Sequence, residues 1–177
     1  TSQATLEMLR QIRSYVKFDE DALVLGENGT GKELVTRTLV ANSARHETKK
    51  NKYFAVDIGA ESDSLFLSNL AGSVKGAFTG AENHNGYLKD YNGGTIFFDE
   101  VGNISHEKQQ MLLRLLHKDP ETDLRSAIPV GSTKAFTFDI RFIMATNADL
   151  QQGLKNGSIR EDFFNRINNM VIQIPAL

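Results

Sequence analysis

Gly26, Glu27, Asn28, Gly29, Thr30, Gly31, Lys32 and Glu33 fit the spacing GxxxxGK, directly after the apolar run Ala22 to Leu25 and at the opening of an amphipathic segment. That spacing suits a phosphate cradle. The three glycines let backbone N–H groups converge on phosphate oxygens, a helix N-terminus adds partial positive charge, and the Lys32 ammonium can bridge terminal phosphates. A glycine-rich turn that binds nothing is the alternative, and the strand before and helix after argue against it. The last position holds Glu33 in place of the Ser or Thr that would ligate magnesium, so water or another residue fills that place.

A phosphate cradle needs acids at the end of a neighbouring strand, and the run Gly93 to Glu100 (GGTIFFDE) supplies them. Asp99 is placed to hold Mg²⁺ through its water shell. Glu100 is placed to orient or deprotonate an attacking water, since phosphoryl transfer depends on positioning more than on covalent chemistry. Further along, Arg141 to Asn147 (RFIMATN) reads as a strand running into Thr-Asn. An Asn there often forms a turn. In this order of elements the reading of Asn147 as a sensor of the terminal phosphate is preferred.

The elements that must position these residues follow from periodicity. Leu6, Leu9, Ile12 and Val16 recur at helical spacing, and Lys32 to Ala44, Glu61 to Leu70 and Ser105 to His117 also read as helices. Met111, Leu112, Leu115 and Leu116 share one face of the last, and Ser105 is its expected N-cap. Short apolar runs at Ala22 to Leu25, Tyr53 to Val56, Thr95 to Phe98, Phe142 to Ala145 and Val171 to Ile174 read as strands. Strands alternating with helices imply a mostly parallel sheet covered on both faces, because parallel neighbours need crossovers long enough to hold a helix. Gly76 to Gly93 and Lys118 to Asp139 break the alternation and are too long for ordinary connections, which suggests function or mobility.

Composition bounds the rest. A chain of 177 residues, 40% hydrophobic and 24% charged, fits one globular domain. No run approaches the roughly 18 apolar residues of a membrane span and the first residues lack a secretory pattern, so a cytoplasmic protein is expected. With no cysteine and only His46, His84, His106 and His117, scattered, there is no thiolate or histidine metal site to propose. The net charge of -2 and the one short basic cluster, Lys49, Lys50 and Lys52, favour a solvated loop over a nucleic-acid footprint.

Gly76-Ala77-Phe78-Thr79-Gly80-Ala81 spells GAFTGA, and with it the chain resembles the AAA+ domain of the sigma-54-dependent transcriptional activators, the bacterial enhancer-binding proteins. The similarity runs through nearly the whole chain: GENGTGKELV, GGTIFFDEVGNIS, KQQMLLRLLH, DIRFIMATNADL and REDFFNRIN occur in the family's order. It implies an α/β, three-layer P-loop NTPase (AAA+) with a mostly parallel five-stranded sheet over residues 1–177. It also implies that the helical lid, the DNA-binding domain and any sensory domain lie outside this chain, so that DNA is met only through a domain absent here. ATP and Mg²⁺ are the implied ligands, and ATP hydrolysis the implied activity. In the family the hexapeptide tips a loop that touches sigma-54, with Phe78 and Thr79 the matching contacts. Small residues at each end permit a tight turn, and an apolar side chain at its tip suits partner contact. The family's Walker A motif also ends in Glu, which accounts for Glu33. In REDFFNRIN, Arg160 and Arg166 match its trans-acting fingers, within two turns of one helix, and imply self-association into a hexameric or similar ring.

The chain departs from the family at Asp57, where the family carries an Asn that contacts the Walker B Glu and reports nucleotide state to the loop. If Asp57 approaches Glu100, two carboxylates cannot both ionise cheaply and one pKa should rise, giving a proton- or water-mediated switch. Leu70-Ala71-Gly72-Ser73-Val74 stands where the family has Leu-Phe-Gly-His-Glu, which bears on the packing of the loop. Lys118 to Asp139 is longer than the family's hairpin and is read as the loop's moving support. The expected function is ATP-driven remodelling of sigma-54 RNA polymerase. The alternatives are a regulatory module that binds sigma-54 with little turnover and a general AAA+ remodelling ATPase.

Overall fold

The computed structural model describes residues 3–43, 45 and 52–175. Lys49, Lys50, His46 and Ala44, where the second helix was expected to end, lie outside them.

Helices and strands alternate along the described residues. Helix α1 (Gln3–Tyr15) leads into strand β1 (Ala22–Leu25), and α2 (Lys32–Ala41) follows the glycine-rich turn. Strand β2 (Tyr53–Asp57) is followed by α3 (Asp63–Ala71), the short α4 (Tyr87–Asp90) and β3 (Thr95–Asp99). A 3₁₀ turn (Val101–Asn103) then enters α5 (His106–Leu116). A hairpin of β4 (Arg125–Ala127) and β5 (Phe136–Phe138) precedes β6 (Arg141–Thr146), α6 (Leu150–Asn156), α7 (Glu161–Ile167) and β7 (Val171–Gln173). The five main strands lie in the order β2-β3-β6-β1-β7, and every pairing among them is parallel.

Alternation along each strand divides the core in two. Leu23, Ile96, Phe98, Phe142 and Met144 point to one face, where they meet Phe66 and Leu70 of α3, Leu112 and Leu115 of α5 and Phe163 of α7. Val24, Phe97, Ile143 and Ala145 point to the other, against Ile12 of α1 and Val35 and Leu39 of α2. A strand buried on both faces favours apolar residues at successive positions, which is why Ala22 to Leu25, Ile96 to Phe98 and Phe142 to Ala145 read as unbroken apolar runs. Phe98 stacks on Phe142 with ring centroids 5.3 Å apart, joining the central strands on the larger face.

Element ends depart from the sequence reading where side chains intervene. The second helix ends at Ala41, where the backbone amide and the side chain of Asn42 both donate to the Thr38 carbonyl (3.3 and 2.8 Å). Ser105 caps α5 as expected, its hydroxyl accepting from the Lys108 amide at 3.1 Å. Lys118 to Asp139 holds an antiparallel hairpin in which Arg125 faces Phe138 and Ala127 faces Phe136. It is ordered by a tight turn in which Asp119 accepts from the Glu121 and Thr122 amides, and those bonds hold its carboxyl below the usual carboxylate range. Among the described residues no helix is long and apolar enough to cross a membrane.

Candidate functional site

The cradle forms where β1 ends. The Gly26 amide donates to the Thr146 carbonyl of β6 (3.2 Å), and a side chain at Gly26 would come within 2.8 Å of the Thr30 hydroxyl oxygen. Gly29 (φ 78°) and Gly31 (φ 88°) take left-handed conformations, the second serving as N-cap of α2. Glycine reaches these angles without the Cβ penalty, so the loop can turn its amides toward one point. Lys32 is buried, and its Nζ donates to the Gly26 and Glu27 carbonyls at 3.2 Å each. Glu33 turns away from that mouth to pair with Arg37 (2.9 Å) on the exposed side of the helix. Arg37 in turn lies 5.4 Å from the centre of the Tyr53 ring, whose phenol is pushed up to about 12 by burial, with the Glu33 and Asp99 charges adding to it.

Asp99 and Glu100 stand at the tip of β3, beside the cradle strand's neighbour β6. Asp99 Oδ1 accepts from the Glu100 amide at 2.9 Å, which leaves Oδ2 to other partners. Glu100 is left-handed at φ 61°, one of two non-glycine residues with positive φ among those described. A side chain held there costs about 1–3 kcal/mol, a strain that tends to collect at working sites. Asn103 fixes the result: its Nδ2 donates to Glu100 Oε2 at 2.8 Å, and its backbone amide donates to the Glu100 carbonyl at 3.1 Å. The sequence reading missed Asn103. An amide three residues after the acid was the available signal.

Asp57 lies directly opposite Asp99 in the β2–β3 ladder. Its Oδ1 accepts from the Gly59 and Ala60 amides at 3.1 and 3.3 Å, while Glu100 is held by Asn103. The two carboxylates therefore flank Gly59 without a hydrogen bond between them. A Cβ on Gly59 would sit 3.3 Å from Asp57 Oδ1 and 3.4 Å from Glu100 Cβ. Asp57 and Glu100 thus meet through this backbone turn, with two adjacent amides satisfying the Asp57 carboxylate locally. Lys108 pins the same turn from beneath: it is 3% exposed, and its ammonium donates to the Ile58 carbonyl (2.7 Å) and to that of Glu61.

The end of β6 brings Asn147 to the cradle, where its Nδ2 donates to Asn28 Oδ1 at 2.8 Å. Beside them a cavity of about 320 Å³ opens, lined by Gly26, Asn147, Leu150, Phe164 and Gln173. Phosphate loop, acid pair and Asn147 thus converge at the carboxyl ends of the parallel strands, where open α/β sheets place their ligands.

The GAFTGA segment forms a closed turn. Gly76 and Gly80 are left-handed (φ 86° and 82°), and the Ala81 amide donates to the Phe78 carbonyl at 2.9 Å. Ala81 is buried, whereas Phe78 is 44% exposed and Thr79 is exposed beside it. Below the turn, Ser73 pairs antiparallel with His84 and parallel with Val130, so the loop is strapped to the segment between β4 and β5. The Val130 amide donates to the Gly72 carbonyl (2.9 Å), and the Val74 amide donates to the Val130 carbonyl (3.1 Å). The departure at Ala71 to Val74 therefore leaves a small, buried base. At Gly72 (φ 86°) a Cβ would meet the His84 carbonyl oxygen at 2.4 Å, so only glycine lets the two limbs of the loop close.

Of the two arginines, Arg160 is not in the helix but caps it, with extended backbone ahead of Glu161. Its guanidinium pairs with Asp162 at 2.8 Å and is partly exposed, and it holds the Asp162 carboxyl below the usual range. Arg166 occupies the last turn of α7 and donates to the Leu116 carbonyl at the end of α5. Arg160 is thus the more available, while Arg166 is engaged in packing α7 on α5.

Residues 1–173 match the model of the sigma-54 interaction domain family. The chain is 41% identical over 173 residues to the acetoin dehydrogenase operon transcriptional activator of Bacillus subtilis, covering 96% of this chain and 27% of that protein. It is 38% identical over 178 residues to a Nif-specific regulatory protein of Azospirillum lipoferum, covering all of this chain and again 27% of the relative. Among solved structures, NtrX of Brucella abortus in complex with ATP superposes with a TM-score of 0.83 at 28% identity, over 99% of this chain and 38% of that one. A yeast Hsp104 structure shares the fold at TM-score 0.60 and 20% identity. This chain spans about a quarter of the length of the first two relatives.

Proposed function

The chain belongs to the sigma-54 interaction domain family and has its AAA+ P-loop NTPase fold, and from that premise we propose that it is the ATP-hydrolysing motor that remodels sigma-54 RNA polymerase in the cytoplasm to activate transcription. The observation that carries this reading is the exposed Phe78 at the tip of a glycine-bounded turn, on the same subdomain as the P-loop and acid pair.

In this mechanism ATP enters with its phosphates over the amides of residues 28 to 32, and Lys32 exchanges the Gly26 and Glu27 carbonyls for phosphate oxygens. Asp99 offers hard carboxylate oxygens that suit Mg²⁺, with Oδ2 left open by the geometry. Bound there, Mg²⁺ would neutralise charge on the phosphates. Glu100, held by Asn103, orients the attacking water, and Asn147 meets the terminal phosphate. NtrX of Brucella abortus was obtained with ATP and with ADP, which supports nucleotide in the matching cleft.

Arg160 completes the site of a neighbouring protomer, which requires head-to-tail contacts that close into a ring. Asp57, the Gly59 turn and α3 form the path from Glu100 to the loop, and the hairpin segment at Val130 moves with it. Phe78 and Thr79 contact sigma-54, and DNA is held by another part of the protein. The test is steady-state ATPase of the intact protein across a dilution series. Specific activity should rise with protein concentration as rings assemble. A rate per protomer that is independent of concentration overturns the ring-dependent site, and no turnover at any concentration favours a passive sigma-54-binding module.

A further inference from the structure

We infer that Asn28 is a positioning residue that sets how strongly the site discriminates a nucleoside triphosphate from a diphosphate, an inference that rests on the nucleotide-hydrolysing reading above. One oxygen, Asn28 Oδ1, accepts from both Asn147 Nδ2 (2.8 Å) and Lys32 Nζ (3.5 Å). These are the two side chains that the proposed chemistry turns toward phosphate.

The two contacts differ in how they bear on a ligand. Lys32 has the Gly26 and Glu27 carbonyls as further acceptors at 3.2 Å, so its ammonium is held whatever side chain stands at position 28. Its release also counts equally for any nucleotide with a β-phosphate. Asn147 is different, because its amide donates to the Asn28 side chain. The two residues reach each other because β1 and β6 are adjacent and end level, with Leu25 opposite Thr146. Ala at 28 offers Asn147 no side-chain acceptor.

The Asn147 amide nitrogen carries two N–H groups, so one stays on Asn28 while the other meets the terminal phosphate of a triphosphate. A diphosphate lacks the group that the second N–H would meet. Asn28 therefore holds the Asn147 amide in one orientation for the terminal phosphate, and its removal should favour ADP over ATP relative to the parent. Loss of one orienting neutral hydrogen bond corresponds to a shift of about threefold to tenfold in affinity.

The experiment is titration of fluorescent nucleotides, a non-hydrolysable ATP analogue and ADP, into the intact protein and its Asn28→Ala and Asn147→Ala variants. Asn28 is exposed, so truncation removes no core contact. In Asn28→Ala the affinity for the ATP analogue should fall about threefold to tenfold relative to that for ADP. In the Asn147→Ala background, Asn28→Ala should leave the ratio unchanged. A ratio unaltered by Asn28→Ala alone, or altered equally with and without Asn147, overturns the inference. Failure of the parent protein to bind either nucleotide overturns instead the reading on which it rests.

Discussion

Glu100→Gln abolishes ATP turnover, with an expected loss of about 10²- to 10⁴-fold in kcat, while nucleotide still binds. The substitution keeps the shape of the side chain. A glutamine carbonyl can accept from Asn103 Nδ2 as Oε2 of Glu100 does at 2.8 Å, so the left-handed backbone at φ 61° keeps its support. What disappears is the negative oxygen that polarises water. The measurement is phosphate release at saturating ATP beside a binding isotherm for the same variant. A variant that keeps more than a tenth of the parent rate would show that another group orients the water.

Arg160→Ala should cost the assembled protein about 10³- to 10⁵-fold in ATPase rate, the scale on which an arginine supplied in trans stabilises transferring phosphoryl charge. In the protomer Arg160 is paired with Asp162 at 2.8 Å, an ion pair on the surface. Such pairs contribute little to stability, so the guanidinium can leave for a neighbour's phosphate at small cost. The decisive readout is mixing. Arg160→Ala and Glu100→Gln protomers carry defects in different halves of a shared site, so mixed rings contain some junctions with an intact Glu100 facing an intact Arg160. Recovery of activity on mixing supports a finger in trans. A mixture no more active than its parts places Arg160 outside the site.

Much of this was legible in local pattern. Ala22 to Leu25, Thr95 to Phe98 and Phe142 to Ala145 are strands buried on both faces, and a parallel sheet leaves such strands few polar positions. The cradle was legible because left-handed turns demand glycine at Gly29 and Gly31. What escaped is pairing between segments distant in sequence. Asn28 meets Asn147 only because the sheet order sets β1 beside β6, and no periodicity encodes that. Lys108 sits on the buried side of α5, where charge is unexpected, because the carbonyls of Ile58 and Glu61 lie within reach of its ammonium. Arg160 was read as helical but caps α7 instead. Its backbone amide goes to Gln109 Oε1 of α5 at 2.9 Å, a tertiary bond that sets where the helix begins.

If the ATP site drives the exposed turn at Phe78 against sigma-54, retention of purified sigma-54 by the intact protein depends on an ADP–metal-fluoride mimic of the hydrolysis transition state. Sigma-54 should be retained only with the mimic and be lost in Phe78→Ala, whose nucleotide binding is unchanged. Retention that ignores nucleotide, or that survives Phe78→Ala undiminished, would contradict the account.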